Sequence, residues 1–268
     1  MNQEPPNAVL VDLDGVLYKG DEVIPGAVAA VEWLQSGTIP HLFLTNTTSR
    51  PRRKIAQKLE ALGMEVDEDS ILTPVIAARH WLHAHIQGEV ALFMPEATKG
   101  DLGDIDELPR DRESGAAALI LGDLGEGWDF ATLNRAFRLL MTEPRPALIA
   151  LGMTRYWRAP DGLRLDVAPF VKALEHATGC EAIVLGKPAK EFFGTALALI
   201  QSTPGVTVMI GDDITTDVQG AQQAGLAGVL VRTGKFRPAD LDGPIRPDAV
   251  LDTIGDLPAW WRTMTGGG

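Results

Sequence analysis

Short apolar runs alternate with amphipathic stretches along most of this chain, and that rhythm constrains its fold more than any other feature. "AVLVD" (8–12), "HLFLT" (41–45), "VTVMIG" (206–211) and "GVLVRTG" (228–234) read as strands buried on both faces. Between and after them lie helix-like segments, among them "GAVAAVEWLQSG" (26–37), "RPRRKIAQKLEALG" (50–63) and "TTDVQGAQQAG" (215–225). Gly37, Gly63 and Gly225 sit where a helix would stop, and Ser49 where one would be capped. A β-α-β-α order predicts a parallel sheet covered by helices, because parallel strands need crossover connections.

The middle of the chain follows the same grammar less regularly. "EVALFM" (89–94), "AAALILG" (116–122) and "ALIAL" (147–151) read as strands, and "DFATLNRAFRLLM" (129–141) and "VAPFVKALEHATG" (167–179) as helices. "YWRAPDGLRLD" (156–166) predicts a hairpin around Asp161-Gly162. The clean rhythm resumes with "EAIVLG" (181–186). The expected organisation is an α/β core, residues 1–73 and 183–268, interrupted by an α/β insert, residues 74–182.

Charge and cysteine content exclude several classes of function. The net charge of −12 repels nucleic acid and anionic membranes. The single cysteine, Cys180, rules out an intrachain disulfide and suits a reducing cytoplasm. The opening "MNQEPPN" shows no basic segment followed by an apolar run, so a cytoplasmic protein without a secretion signal is expected. An anionic ligand would need local positive charge to approach so acidic a chain.

Four short loops offer chemistry, each directly after an expected strand. Asp12 and Asp14 flank Leu13, ahead of Gly15 and Val16. In a parallel sheet, ligands bind beyond the carboxyl ends of the strands. Two carboxylates there either form an Asx-turn or divide labour, one staying ionised while the other carries a proton. Thr45 and Asn46 offer a hydroxyl and an amide to a phosphate oxygen, or serve to cap the next helix. Lys187, held before Pro188, is a surface lysine or a positive charge that neutralises a phosphate amid the aspartates. Asp213 and Asp217 either cap a helix or, with Asp212 at the strand end, supply the oxygen ligands that Mg²⁺ prefers. Each loop has a structural reading by itself; their occurrence together favours chemistry.

"DLDGV", "LTN", "GKP" and "GDDITTD" resemble the four motifs of the haloacid dehalogenase superfamily, in the family's order. "DLDGVLY", "GKP" and the long insert between the second and third motifs resemble the NagD-like subgroup with a large α/β cap. The stretches "LGMTRYWRAPDGLRLDVAPFVKALEHATG" and "MIGDDITTDVQGAQQAGLAGVLVRTGKFRPAD" extend the resemblance over most of the chain. It implies a Rossmann-like core and a phosphatase with Asp12 as nucleophile and Asp14 as general acid and base. It further implies Mg²⁺ held by Asp12, Asp14 through its backbone carbonyl, and Asp212, with Asp213 and Asp217 supporting. Thr45, Asn46 and Lys187 would hold the phosphoryl oxygens, and Gly15 and Val16 would bring N–H groups to them. The implied partner is a small phosphorylated molecule: a phosphomonoester, a phosphoramidate or pyrophosphate. Caps of relatives often mediate dimers, which makes a homodimer through the cap one expected arrangement.

One departure limits the transfer. Many members of the subgroup carry an Asn-Pro-Asp stretch in the cap where this chain has Gly152-Met153-Thr154. Arg155, Tyr156 and Trp157 are the local candidates for meeting the leaving group, with packing at a hairpin edge as the other reading. A phosphomutase on the same core and a non-catalytic phosphate-binding protein are the alternatives to a phosphatase. Other signals carry less. His80, His83 and His85 spread around one helix rather than forming a zinc face. "KGDLGDIDELPRDRE" (99–113) reads as a surface loop, and Trp260-Trp261 as the anchor of the last helix.

Overall fold

The computed structural model describes residues 4–37, 39–159 and 161–266. The chain forms two compact units, one of Met1–Thr45, Arg52–Leu72 and Lys187–Gly268, the other of Asn46–Pro51 and Thr73–Gly186.

In the first unit, β1 (Ala8–Asp12) is buried along its whole length, as its unbroken apolar run requires. It is followed by a small antiparallel hairpin, β2 (Tyr18–Lys19) and β3 (Glu22–Val23), and by α1 (Ala27–Ser36). Then come β4 (His41–Leu44), α2 (Arg52–Ala61) and β5 (Ile71–Leu72).

In the second unit, α3 (Pro74–His85) leads to β6 (Val90–Phe93), α4 (Glu96–Lys99) and β7 (Ala118–Leu121). α5 (Phe130–Leu140), β8 (Ala147–Ala150), the hairpin β9 (Tyr156–Ala159) and β10 (Gly162–Leu165), α6 (Ala168–Thr178) and β11 (Ile183–Val184) complete it. The first unit resumes with α7 (Lys190–Leu199), β12 (Thr207–Gly211), α8 (Gly220–Gln223), β13 (Ala227–Val231), β14 (Ala249–Leu251) and α9 (Leu257–Thr265).

The first unit's six strands run parallel in the order β14-β13-β12-β1-β4-β5. Ala8 pairs with Thr207 and Asp12 with Leu44. The chain builds outward from β1 on one side and returns to add β12 on the other. The crevice between β1 and β12 is therefore a topological switch point, where parallel sheets bind ligands. Val9, Val11, Phe43, Ile210 and Val229 lie in the core between this sheet and its helices. Trp261 of α9 packs edge-on against Trp33 of α1 at 6.1 Å, as the anchoring role predicted.

The second unit holds a separate parallel sheet, β11-β8-β7-β6, packed with α5 and α6 through Leu119, Leu121, Leu139, Leu148, Val171 and Leu174. The hairpin predicted around Asp161-Gly162 forms from β9 and β10. α3 starts where Thr73 accepts the Ile76 N–H and Pro74 occupies the first turn.

Three local expectations change. The strand expected at 181–186 contributes only Ile183–Val184, and these pair with β8 rather than with the sheet that carries β1. Local apolar character makes a strand but does not choose its partner. The helix expected over 215–225 opens as a π-helical turn, Ile214–Gln219, before α8. The segment 99–113 is no free surface loop: Leu102 and Leu108 are buried, and the Leu108 N–H donates to the Val90 carbonyl. Among the described residues no helix is long and apolar enough to cross a membrane.

Candidate active site

Buried charge gathers at the carboxyl end of the first unit's sheet. Asp12 ends β1, and Asp212 follows β12, so neighbouring strands deliver both carboxylates to the switch-point crevice. Asp217 reaches the same place from the π-helical turn. Its backbone N–H and that of Val218 both donate to the Asp213 carbonyl, widening the turn. One oxygen each from Asp12, Asp212 and Asp217 lies within 4.8 Å of the others, and all three residues are buried.

Lys187 enters this cluster and is itself buried. Its Nζ lies 2.5 Å from Asp12 Oδ1 and 2.7 Å from Asp217 Oδ1. Burial disfavours the ammonium, but Asp12 and Asp217 outweigh that and raise the lysine pKa above its ordinary value. Burial also pushes the Asp12 carboxyl upward, opposed by Lys187 and reinforced by Asp217 and Asp212.

Asp212 is pushed up to about 6, first by burial and then by Asp217, against the pull of the Lys235 backbone N–H. Asp213 behaves oppositely. Burial raises it, but the Thr215 hydroxyl and the Thr216 N–H hold it down at about 2. Asp213 thus stays ionised and caps the turn rather than entering the cluster, while Lys235 Nζ lies 3.4 Å from its Oδ2.

This donor set fits a divalent cation. Three buried carboxylates face a single ammonium, leaving two negative charges for a dication to neutralise. Asp217 is engaged through both oxygens, by Lys187 and by the Asp213 N–H. Asp217 Oδ1 and Asp212 Oδ1 are both buried without a hydrogen-bond partner among the described residues, but Asp217 Oδ1 has the Lys187 ammonium beside it and Asp212 Oδ1 has no ion-pair partner there. An orphaned carboxylate oxygen beside two further carboxylates is the kind of ligand an oxygen-seeking ion such as Mg²⁺ takes.

The other expected residues distribute as follows. Asp14 is exposed and stands outside the carboxylate cluster. Thr45 is buried just past β4, its N–H donating to the Leu72 carbonyl, and Asn46 opens the segment grouped with the second unit. Gly15 and Val16 do not have free N–H groups to offer. Gly15 donates to the Tyr18 carbonyl at 2.6 Å and Val16 to that of Leu13 at 3.3 Å, closing the turn into the β2–β3 hairpin. Gly15 matters instead for space, because a Cβ there would fall 2.0 Å from Asp212 Oδ2. Tyr156 and Trp157 begin the β9–β10 hairpin and are 54% and 41% exposed, and Arg155 beside them is also exposed.

Sequence reasoning assigned no role to the loop after β13. There the Lys235 N–H donates to Asp212 Oδ2 at 2.7 Å, and the Thr233 hydroxyl donates to the Gly15 carbonyl at 2.5 Å. These contacts use a backbone amide and a hydroxyl, which carry no charge signature. The available signal was positional: β13 is one more parallel strand ending beside the switch point.

Comparison with known proteins shows the family. The haloacid dehalogenase-like hydrolase family model matches residues 9–106, and a HAD-hydrolase-like model matches residues 184–257. The chain is 38% identical over 258 residues to phospholysine phosphohistidine inorganic pyrophosphate phosphatase of Rattus norvegicus, covering 92% of this chain and 91% of that one. The chain belongs to the haloacid dehalogenase-like hydrolases. Within that family it is a phosphatase. A p-nitrophenyl phosphatase from Archaeoglobus fulgidus superposes with a TM-score of 0.84 at 25% identity, covering 96% of this chain and all of the other. NagD from E. coli, at 21% identity, shares the fold, with a TM-score of 0.82 over 94% of this chain and 98% of its own.

Proposed function

We propose that this haloacid dehalogenase-like phosphatase is Mg²⁺-dependent and hydrolyses small phosphorylated substrates through an aspartyl-phosphate on Asp12. The observation that carries this reading is the buried set of Asp12, Lys187, Asp217 and the orphaned oxygen of Asp212. Asp12, Asp212 and the Asp14 carbonyl would hold the metal, with Asp213 and Asp217 in support. Bound there, Mg²⁺ supplies positive charge that lets a phosphate approach the carboxylates and stabilises the transferring phosphoryl group.

The chain's own residues perform the steps. Asp12 attacks phosphorus while the bond to the leaving atom breaks, and Asp14 donates a proton to that atom. Asp14, now a carboxylate, takes a proton from water. The water oxygen attacks phosphorus, releasing inorganic phosphate and regenerating Asp12. Lys187, Thr45 and Asn46 hold the phosphoryl oxygens in line, which is most of what phosphoryl transfer asks of a protein. Lys187 is oriented for this by Asp217, whose own position depends on the bare Gly211: a Cβ there would lie 2.2 Å from the Asp217 Cβ.

The second unit acts as the cap in this reading, with Arg155, Tyr156 and Trp157 meeting the leaving group. The relatives' names direct the choice of substrates to phosphomonoesters, phosphoramidates such as phospholysine, and pyrophosphate. Purified protein should hydrolyse p-nitrophenyl phosphate with Mg²⁺ and not in EDTA. Asp12→Asn should lower that rate by on the order of 10⁴-fold or more. Full activity in EDTA would overturn the metal assignment, and an active Asp12→Asn protein the nucleophile.

A further inference from the structure

The loop after β13 stands out because it does nothing on its own account and yet closes around one oxygen of Asp212. Asp212 Oδ2 accepts the Lys235 N–H at 2.7 Å. Gly15 and Gly234 sit on either side of that oxygen, with φ of +90° and +61°. A Cβ at Gly15 would lie 2.0 Å from it, and one at Gly234 only 1.9 Å. The two backbones approach so closely that a Gly234 Cβ would also fall 2.6 Å from the Gly15 Cα. The Thr233 hydroxyl then donates to the Gly15 carbonyl. This bond ties the end of β13 to the turn after β1, although β12 lies between those strands in the sheet. Asp212 is thereby enclosed, with Oδ2 held in a slot of backbone and Oδ1 buried without a hydrogen-bond partner among the described residues.

We propose that Thr233, Gly234 and Lys235 form a positioning segment that fixes the Asp212 carboxylate in one orientation and so sets the affinity of the site for a divalent cation. The inference rests on the metal reading above and goes beyond it by assigning that affinity to residues that touch no ligand. Groups behind a metal ligand govern its orientation and typically change affinity by about 10–100-fold when removed. The Thr233 bond supplies the tie, the two glycines supply the room, and the Lys235 amide fixes the rotation.

The test is calorimetric titration of the full-length protein with MgCl₂ alone, alongside melting temperatures measured without metal. Thr233→Val, which removes the donor at nearly constant size, should weaken Mg²⁺ binding by about 10-fold. Thr233→Ser, which keeps the hydroxyl, should stay within about 2-fold of the parent, a split expected only if the hydrogen bond acts on the ligand. The metal-free melting temperature of a folded Thr233→Val protein should change little. Gly234→Ala should weaken binding further; if it fails to fold, the Thr233 pair decides the matter. Parent-like affinity in Thr233→Val, or equal losses in Val and Ser variants, overturns the positioning role while leaving the metal site intact. A parent protein that binds no Mg²⁺ overturns the metal reading and this inference with it.

Discussion

The two sheets of this protein are built alike and finish differently. Both are parallel, both are covered by helices, and both bury apolar strands. At the end of β1 and just past the ends of β4 and β12 in the first sheet stand buried Asp12, Thr45 and Asp212, and Lys187 and Asp217 are buried in the same unit. In the second unit the buried polar side chains among the described residues are Thr73 and Thr98, and both serve their own helix ends. Removing a charge from water costs several kcal/mol unless it is paired. A sheet folds readily without such groups, as the second unit demonstrates, so their presence in the first reflects chemistry rather than architecture. Fold class alone would have pointed equally to both sheets.

The contrast can be broken by experiment, starting where the effect should be largest. Lys187→Met leaves Asp12 and Asp217 buried without their counter-charge. It should abolish phosphatase activity and cost about 3–5 kcal/mol in denaturant unfolding of metal-free protein. A neutral effect on stability would mean the cluster tolerates unpaired charge, and the contrast would lose its basis. Leu121→Ala, in the second sheet's core, should cost about 3 kcal/mol through a cavity, with no charge involved. Thr73→Ala removes the cap of α3 and should cost about 1 kcal/mol by the same measurement. Arg112→Met breaks the exposed ion pair with Glu89 at 2.9 Å and should change stability by less than about 1 kcal/mol. An Arg112 effect as large as that of Lys187 would show that burial does not separate the two regions.

Much of the first unit was legible because its signals are local. β1 is continuous apolar sequence ending on a charge, and the same pattern marks β12. Asp217 was legible as a partner because five residues from Asp212 suffice to carry a helix start back toward the strand end. The sheet membership of Ile183–Val184 was not legible, since it depends on pairing with β8 more than thirty residues away. Nor was the widened turn at Ile214–Gln219, which arises from Asp213 accepting from two successive amides while its side chain caps Thr215 and Thr216. The partners of the Gly15 and Val16 N–H groups, Tyr18 and Leu13, were not legible either, because the hairpin fixes them and the motif does not. The slot around Asp212 stayed hidden because glycine advertises itself by what it lacks.

The pairing of Ala8 with Thr207 has a consequence for how the molecule is made. A ribosome adding roughly 5–20 residues per second needs about 10–40 s to travel from β1 to β12. Once β4 and β5 have been made, the strand ending in Asp12 has them on one flank and an open edge on the other until β12 arrives. Meanwhile the stretch Thr73–Gly186 is synthesised without interruption and can complete its own sheet first. The nascent chain therefore carries Asp12 early and gains Lys187 and Asp212, its buried neighbours, only after the whole second unit has been made. An open apolar edge held that long is where a chaperone would be expected to bind.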